Sequence, residues 1–322
     1  MDERGRLAML ARIFSEASAA IPSTGIEEAI GDDAAVLEGL PAQRRLIWTI
    51  DEQVEGTHFR RELLSWRDVG WRSFMAAASD LAAMGADPWC ALCAVALPDY
   101  VDDVAFEEMV LGQRDASVIV RAPVVGGNLV RSAVVSIATT LLGTCERPVM
   151  RRGARPGDGV WLGGEVGLAA AGLRALETGI ADDIRLRRAV GAWRSPRALV
   201  AEGRAMSMMA HAAIDVSDGL ARDAGHVAEA SGVQIVLDEG ALGVSPALRD
   251  GAAALGLDPL ELALHGGEDY ALVAASPVPI DGFRRIGDVR AGGGLVLRGP
   301  NGERPLEPRG YDHFRTDTRS EA

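Results

Sequence analysis

Apolar residues recur along the chain in two rhythms, and each predicts its own kind of element. At helical spacing, Leu7, Leu10, Ala11, Phe14 and Ala17 share one stripe, predicting a helix over 7–20 that Ile21-Pro22 ends. Ser65-Trp66-Arg67-Asp68 reads as a capping box: the serine hydroxyl accepts from the backbone N–H three residues on, and the acid there accepts from the serine's own N–H. It opens a second helix running to Gly85, and a third is predicted over 104–118. Short continuous apolar runs predict strands at 45–50, 89–97, 122–125 and 133–143. The first of these delivers Asp51 to its end, beside the turn that carries His58; the third ends in Gly126-Gly127-Asn128, where glycines let backbone approach a phosphate closely.

The polar, Gly/Pro-containing stretch 151–158 interrupts both rhythms and predicts a domain boundary, with one domain over 1–148 and another over 149–322. Beyond it, strands are predicted at 159–162, 233–237, 271–275 and 283–286, with helices over 168–177, after Ser195-Pro196, and over 220–230. A strand at 212–214 runs through Asp215-Val216-Ser217-Asp218-Gly219 into the last of these helices. The helix's first N–H groups are therefore expected to face the same place as Asp215 and Asp218. Both halves mix helices with strands, so the fold class expected is α/β (mixed α+β) in two related domains.

Composition narrows the function. The 322 residues suffice for two cores, and a formal net charge of −13 argues against nucleic acid or an anionic membrane surface as partner, since both require a basic face. No apolar run approaches a membrane span, and Met1-Asp2-Glu3-Arg4 is acidic where a signal peptide is basic, so a cytoplasmic protein is expected. All 33 basic residues other than histidine are arginine; with no lysine there is no Walker A lysine, Schiff base or lysine general base, and phosphate must be held by arginine, backbone N–H and metal. The three cysteines form no disulfide framework, and Cys90 and Cys93 are expected to pack in a strand. The tryptophans at 48, 66, 71, 89, 161 and 193 lie in apolar runs and are expected in the core.

Candidate chemistry lies in a series of oxygen-bearing elements at the edges of apolar segments: Gly31-Asp32-Asp33, Thr49-Ile50-Asp51, Ser79-Asp80, Gly126-Gly127-Asn128 and Asp215-Val216-Ser217-Asp218. Each aspartate alone suits a helix cap or a turn. As a set without interleaved His or Cys, they suit a hard divalent cation, Mg²⁺ rather than Zn²⁺, serving a phosphate substrate.

Seven segments in order carry a resemblance over nearly the whole length: Gly31-Asp32-Asp33-Ala34-Ala35; Asp51 through Val54-Glu55-Gly56-Thr57-His58-Phe59; Ser79-Asp80-Leu81-Ala82-Ala83-Met84-Gly85-Ala86; Arg152-Gly153-Ala154-Arg155-Pro156-Gly157-Asp158; Ile214-Asp215-Val216-Ser217-Asp218-Gly219-Leu220; Gly266-Gly267-Glu268-Asp269-Tyr270; and Gly310-Tyr311-Asp312-His313-Phe314. The chain resembles the thiamine-monophosphate kinase family, of the superfamily of aminoimidazole ribonucleotide synthetase. The resemblance implies a two-domain fold whose N-terminal sheets pair into a homodimer, and an acidic cleft in which several Mg²⁺ ions serve transfer of the ATP γ-phosphoryl group to thiamine monophosphate. It assigns Asp33, Thr49, Asp51, Asp80, Asn128, Asp215 and Asp218 to metal, with Asp51, Asp80 and Asp218 catalytic. Gly127, Asn128, Arg152 and Ser217 are assigned to ATP, and His58, Glu268 and Tyr311 to the substrate.

Three positions depart from the family pattern: Asn128 replaces the aspartate of Gly-Gly-Asp, Ile50 a threonine, and Ala77 an asparagine. A sibling ATP-dependent synthetase and a non-catalytic nucleotide- or metal-binding relative stand as alternatives. No cysteine precedes Cys90 and lysine is absent, unlike selenophosphate synthetase; the chain ends Arg319-Ser320-Glu321-Ala322, without the terminal cysteine of the hydrogenase-maturation enzyme.

Overall fold

The computed structural model describes residues 3–21, 25–28, 36–39 and 43–311. The first half runs α1 (Glu3–Ala20), β1 (Ile26–Glu28), β2 (Val36–Leu37), β3 (Arg45–Val54), α2 (Trp66–Ala83), β4 (Asp87–Leu97), α3 (Asp103–Val120), β5 (Val124–Arg131) and β6 (Ser136–Cys145). The second runs β7 (Gly159–Gly163), α4 (Leu168–Glu177), α5 (Arg187–Arg194), α6 (Val200–Ser207), β8 (Ala212–Val216), α7 (Leu220–Ser231), β9 (Val233–Asp238), α8 (Pro246–Leu255), α9 (Pro259–His265), β10 (Ala271–Ser276), β11 (Phe283–Ala291), β12 (Gly294–Gly299) and β13 (Gly302–Pro305).

β3, β6, β4 and β5 form a four-stranded sheet in that order, with only the β4–β5 pair parallel. One face is covered by α2 and α3 through Phe74, Met75, Leu81, Phe106 and Met109, all buried. The other face is bare: Trp48 is 69% and Ile50 65% exposed, with Leu92 in the row of Ile50 and Val130 further along the same face. Trp48 is thus not a core residue. Side chains alternate across a strand, and the register that turns Thr49 and Asp51 toward α2 turns Trp48 and Ile50 outward.

Two strands are longer than the apolar runs suggested. β3 continues past Asp51 because residues 51–54 keep pairing with β6, so Asp51 lies inside the strand and His58 follows its end. β5 likewise runs through Gly126-Gly127-Asn128 beside β4. A Cβ on Gly127 would stand 2.0 Å from the Cys93 carbonyl oxygen, so close strand packing accounts for this glycine.

The second sheet has the order β13-β12-β9-β11-β7-β10-β8 and a core of its own. α8 was legible in principle, since Ser245 caps it ahead of Pro246 at the first turn. Ala82 and Ala83 of α2 pack with Met206, Ala213 and Leu272, and a Cβ on Gly203 would stand 2.1 Å from the Ala82 carbonyl oxygen. That close crossing of α2 and α6 brings the last turn of α2 against β8, where the candidate site forms.

Candidate active-site cleft

The capping box is present: Ser65 Oγ accepts from Asp68 N and the Asp68 carboxylate accepts from Ser65 N. α2 so started carries Ser79 and Asp80 to its last turn. Thr49 Oγ1, on the covered face of β3, donates to Asp80 Oδ2 at 2.5 Å. Ser79 Oγ donates to Asp215 Oδ2 at 2.7 Å, reaching β8 in the other half. Thr49, Asp80, Asp215 and Arg151 line one cleft of about 270 Å³, with Met84 and Ile214 as apolar wall.

The cleft carries more carboxylate than its own cation answers. Burial raises the Asp80 and Asp215 acids above the usual range, and Asp80 repels charge on Asp215; Thr49, Ser79 and the Arg151 guanidinium oppose the rise. Asp51 is pushed up to about 6, first by burial and then by Asp80, against hydrogen bonds from the Glu52 backbone and the Gln53 side chain.

Arg151, not Arg152, is the arginine on the cleft wall, although both are exposed. The loop is held from α7: Ser231 Oγ accepts from Gly153 N at 3.1 Å and Ala154 N at 3.2 Å and donates to the Arg151 carbonyl. Asp158 is taken by His211 Nδ1 at 3.0 Å and Arg155 N at 2.9 Å. The choice between two adjacent arginines depends on which one this clamped loop turns inward.

The loop after β8 is tied down by a carboxylate from α7. The N–H groups of Ser217, Asp218 and Gly219, just ahead of α7, all donate to Asp223 Oδ2 at 3.1 Å, so this buried carboxylate holds the loop to the helix it leads into. Burial, with Asp215 and Asp218 nearby, pushes the Asp223 acid to about 7. Asp218 pairs with Arg222 at 3.5 Å, and its carbonyl accepts from Tyr311 N at 3.1 Å. The Ser217 carbonyl accepts from Glu268 N at 2.7 Å. The segments holding Ser217, Asp218, Glu268 and Tyr311 therefore adjoin, with the Tyr311 ring half exposed.

Glu268 has backbone φ +64°, and both its carboxylate oxygens are engaged: Oε1 by Arg72 and Oε2 by Trp193 Nε1 at 2.7 Å. Its charge is one of those that raise the Asp51 acid, after burial and Asp80. His58 Nδ1 accepts from Val54 N at 3.0 Å, a local contact at the end of β3.

Position 128 is not brought to this cleft within one chain. Asn128 shares its row with Ala94, Ala138 and Glu52, hence the bare face, and β5 lies three strand spacings from β3, roughly 14 Å. Ile50 also points to the bare face, so a hydroxyl there would not reach Asp80 in the same subunit. Ala77 is fully buried.

Among the described residues, no three His, Cys, Asp or Glu side chains gather closely enough to hold a metal ion by themselves. Asp33 and its neighbours lie outside the described residues, as does the segment after Tyr311. The donors present are all oxygen, and their charged forms are disfavoured by burial and mutual repulsion. This chemistry fits a hard cation such as Mg²⁺, which keeps several waters and takes further oxygens from phosphate.

Two family models match the chain: the AIR synthase related protein N-terminal domain over residues 31–145 and its C-terminal domain over 155–288. A thiamine-monophosphate kinase of Aquifex aeolicus is 34% identical over 300 residues, covering 91% of this chain and 95% of that protein. One of Mycobacterium tuberculosis is 37% identical over 272 residues, covering 83% and 80%. A solved structure of AaThiL complexed with AMPPCP and TMP matches with TM-score 0.80 and 33% identity, covering 89% of this chain and 93% of that one.

Proposed function

The chain belongs to the thiamine-monophosphate kinase family of the AIR synthase related proteins, and from that premise we propose that it transfers the γ-phosphoryl group of ATP directly to the phosphate of thiamine monophosphate, giving thiamine diphosphate. The observation that carries the reading is the joining of Thr49, Asp80, Ser79 and Asp215 from both halves into one cleft with Arg151 on its wall.

Joining two polyanions asks mainly for in-line positioning and charge neutralisation, and neither requires lysine or a covalent nucleophile. Bound Mg²⁺ would supply most of that neutralisation, held by Asp51, Asp80, Asp215 and Asp218 with Asp33. Arg151 meets the nucleotide phosphates, and Glu268, Tyr311 and His58 take the thiamine moiety. The bare face of the first sheet, with Trp48 and Ile50 exposed, is the surface through which two subunits pair. The assignment to the cytoplasm follows the ATP requirement; among the described residues no helix is long and apolar enough to cross a membrane.

The test is a turnover assay with ATP, Mg²⁺ and thiamine monophosphate, following thiamine diphosphate. Nucleotide binding without product would overturn the kinase reading in favour of a non-catalytic relative.

A further inference from the structure

Arg72 is the largest charged side chain buried in α2, at 1% exposure, and its polar partners lie in the other half of the chain. One guanidinium nitrogen donates to the Trp193 carbonyl and another to Glu268 Oε1, while the group lies 4.7 Å from the centroid of the Trp193 ring. The indole closes the triangle through Nε1 to Glu268 Oε2 at 2.7 Å. The Glu268 side chain nonetheless keeps 28% of its surface open. A buried ion pair is a weak source of stability, because well-packed apolar side chains often do as well. What it supplies here is orientation: a carboxylate gripped on both oxygens has one rotamer and one open edge.

The position of Arg72 on its helix adds a second consequence. Eight residues further along the same helix stands Asp80, about 12 Å away along the axis at the helical rise. α2 is thus a rod with the phosphoryl-end carboxylate near one terminus and the grip on Glu268 in its first half.

We propose that Arg72 is a positioning residue for the acceptor: acting through Glu268 and Trp193, it sets the open edge of the Glu268 carboxylate at a fixed span from Asp80, so that the thiamine moiety is held in register with the phosphoryl end. The proposal rests on the reading that Glu268 faces thiamine monophosphate.

The experiment is steady-state kinetics on Arg72→Lys, Arg72→Met, Trp193→Phe, Glu268→Gln and the double variant Arg72→Met/Glu268→Gln, with melting temperatures alongside. Loss of a charged hydrogen bond to Glu268 corresponds to a rise of ~10-fold or more in KM for thiamine monophosphate, with KM for ATP within ~2-fold of wild type. Arg72→Lys is expected to recover part of that KM, and the double variant to be no worse than Arg72→Met, because both act through one carboxylate. Equal rises in both KM values, or additive effects in the double variant, would overturn the positioning role. Trp193→Phe removes the indole N–H together with part of the buried ring and carries the same test if Arg72→Met fails to fold: an unchanged KM for thiamine monophosphate in Trp193→Phe and Arg72→Lys overturns the proposal. Wild-type protein that gives no thiamine diphosphate at all would instead overturn the functional reading beneath it.

Discussion

Ser79 Oγ donates to Asp215 Oδ2 at 2.7 Å across 136 residues of sequence, the direct side-chain tie between the last turn of α2 and β8 at the cleft. Both groups are buried, so the bond is not exchanged for one to water when it is lost. Ser79→Ala leaves a buried carboxylate short of a donor, at a cost of about 1–3 kcal/mol. The melting temperature should fall, and the Mg²⁺ concentration for half-maximal rate should rise because Asp215 is less readily ionised. Unchanged values for both would show that Asp215 finds another donor.

Asp80→Asn should abolish turnover while leaving the metal-free protein folded and at least as stable. Burial already disfavours the charge on Asp80, and Asp51 and Asp215 both gain from losing that neighbour. Thermal melts in chelator together with the kinase assay check this; substantial activity would remove Asp80 from the site.

Arg151→Ala should raise KM for ATP by ~10-fold or more, and Arg152→Ala by less than ~3-fold, since Arg151 is the arginine lining the cleft. The two variants assayed side by side decide it, and the reverse ranking would mean that the loop turns over when nucleotide binds.

How far the site was legible follows from where each partner sits in the chain. Asp51, Asp80 and Asp215 announce themselves locally, each an acid at the edge of an apolar segment, and Ser65-x-x-Asp68 announces the helix start. Asp223 is equally local, four to six residues after the amides it binds, yet it reads as an ordinary polar residue in the first turn of a helix. Arg72, Ser79 and Ser231 have partners 196, 136 and 78 residues away, and no local pattern carries that information. Trp48 was misread because an apolar run does not say which of a strand's two faces is covered.

Asp269 yields a pH prediction away from the metal ligands. Its carboxylate accepts from Gly167 N at 2.5 Å and Ala169 N at 2.9 Å at the start of α4, and burial pushes the acid from 3.8 to about 7. Between these values the folded state binds more protons than the unfolded state, so this group's contribution to stability declines as pH rises from about 4 through 7. Asp269→Asn should flatten that part of the profile while costing about 1 kcal/mol, because an amide offers one acceptor to two N–H groups. Melting temperature against pH for both proteins measures it; an unchanged slope would place the titration elsewhere.

Asn128 and Trp48 together test the pairing of subunits. Trp48→Glu puts a charge on the bare face and should convert a dimer to a monomer by light scattering at micromolar concentration; a wild-type monomer would contradict the pairing outright. Within one subunit Asn128 sits on that same face, roughly 14 Å across the sheet from Asp51. A carboxylate there reaches a bound cation only if a second subunit brings one to this face. Asn128→Asp should therefore tighten Mg²⁺ binding, measured by calorimetry, in the dimer and leave it unchanged in the Trp48→Glu background. Tightening in both would show that position 128 acts within its own chain, and tightening in neither would remove it from the metal site.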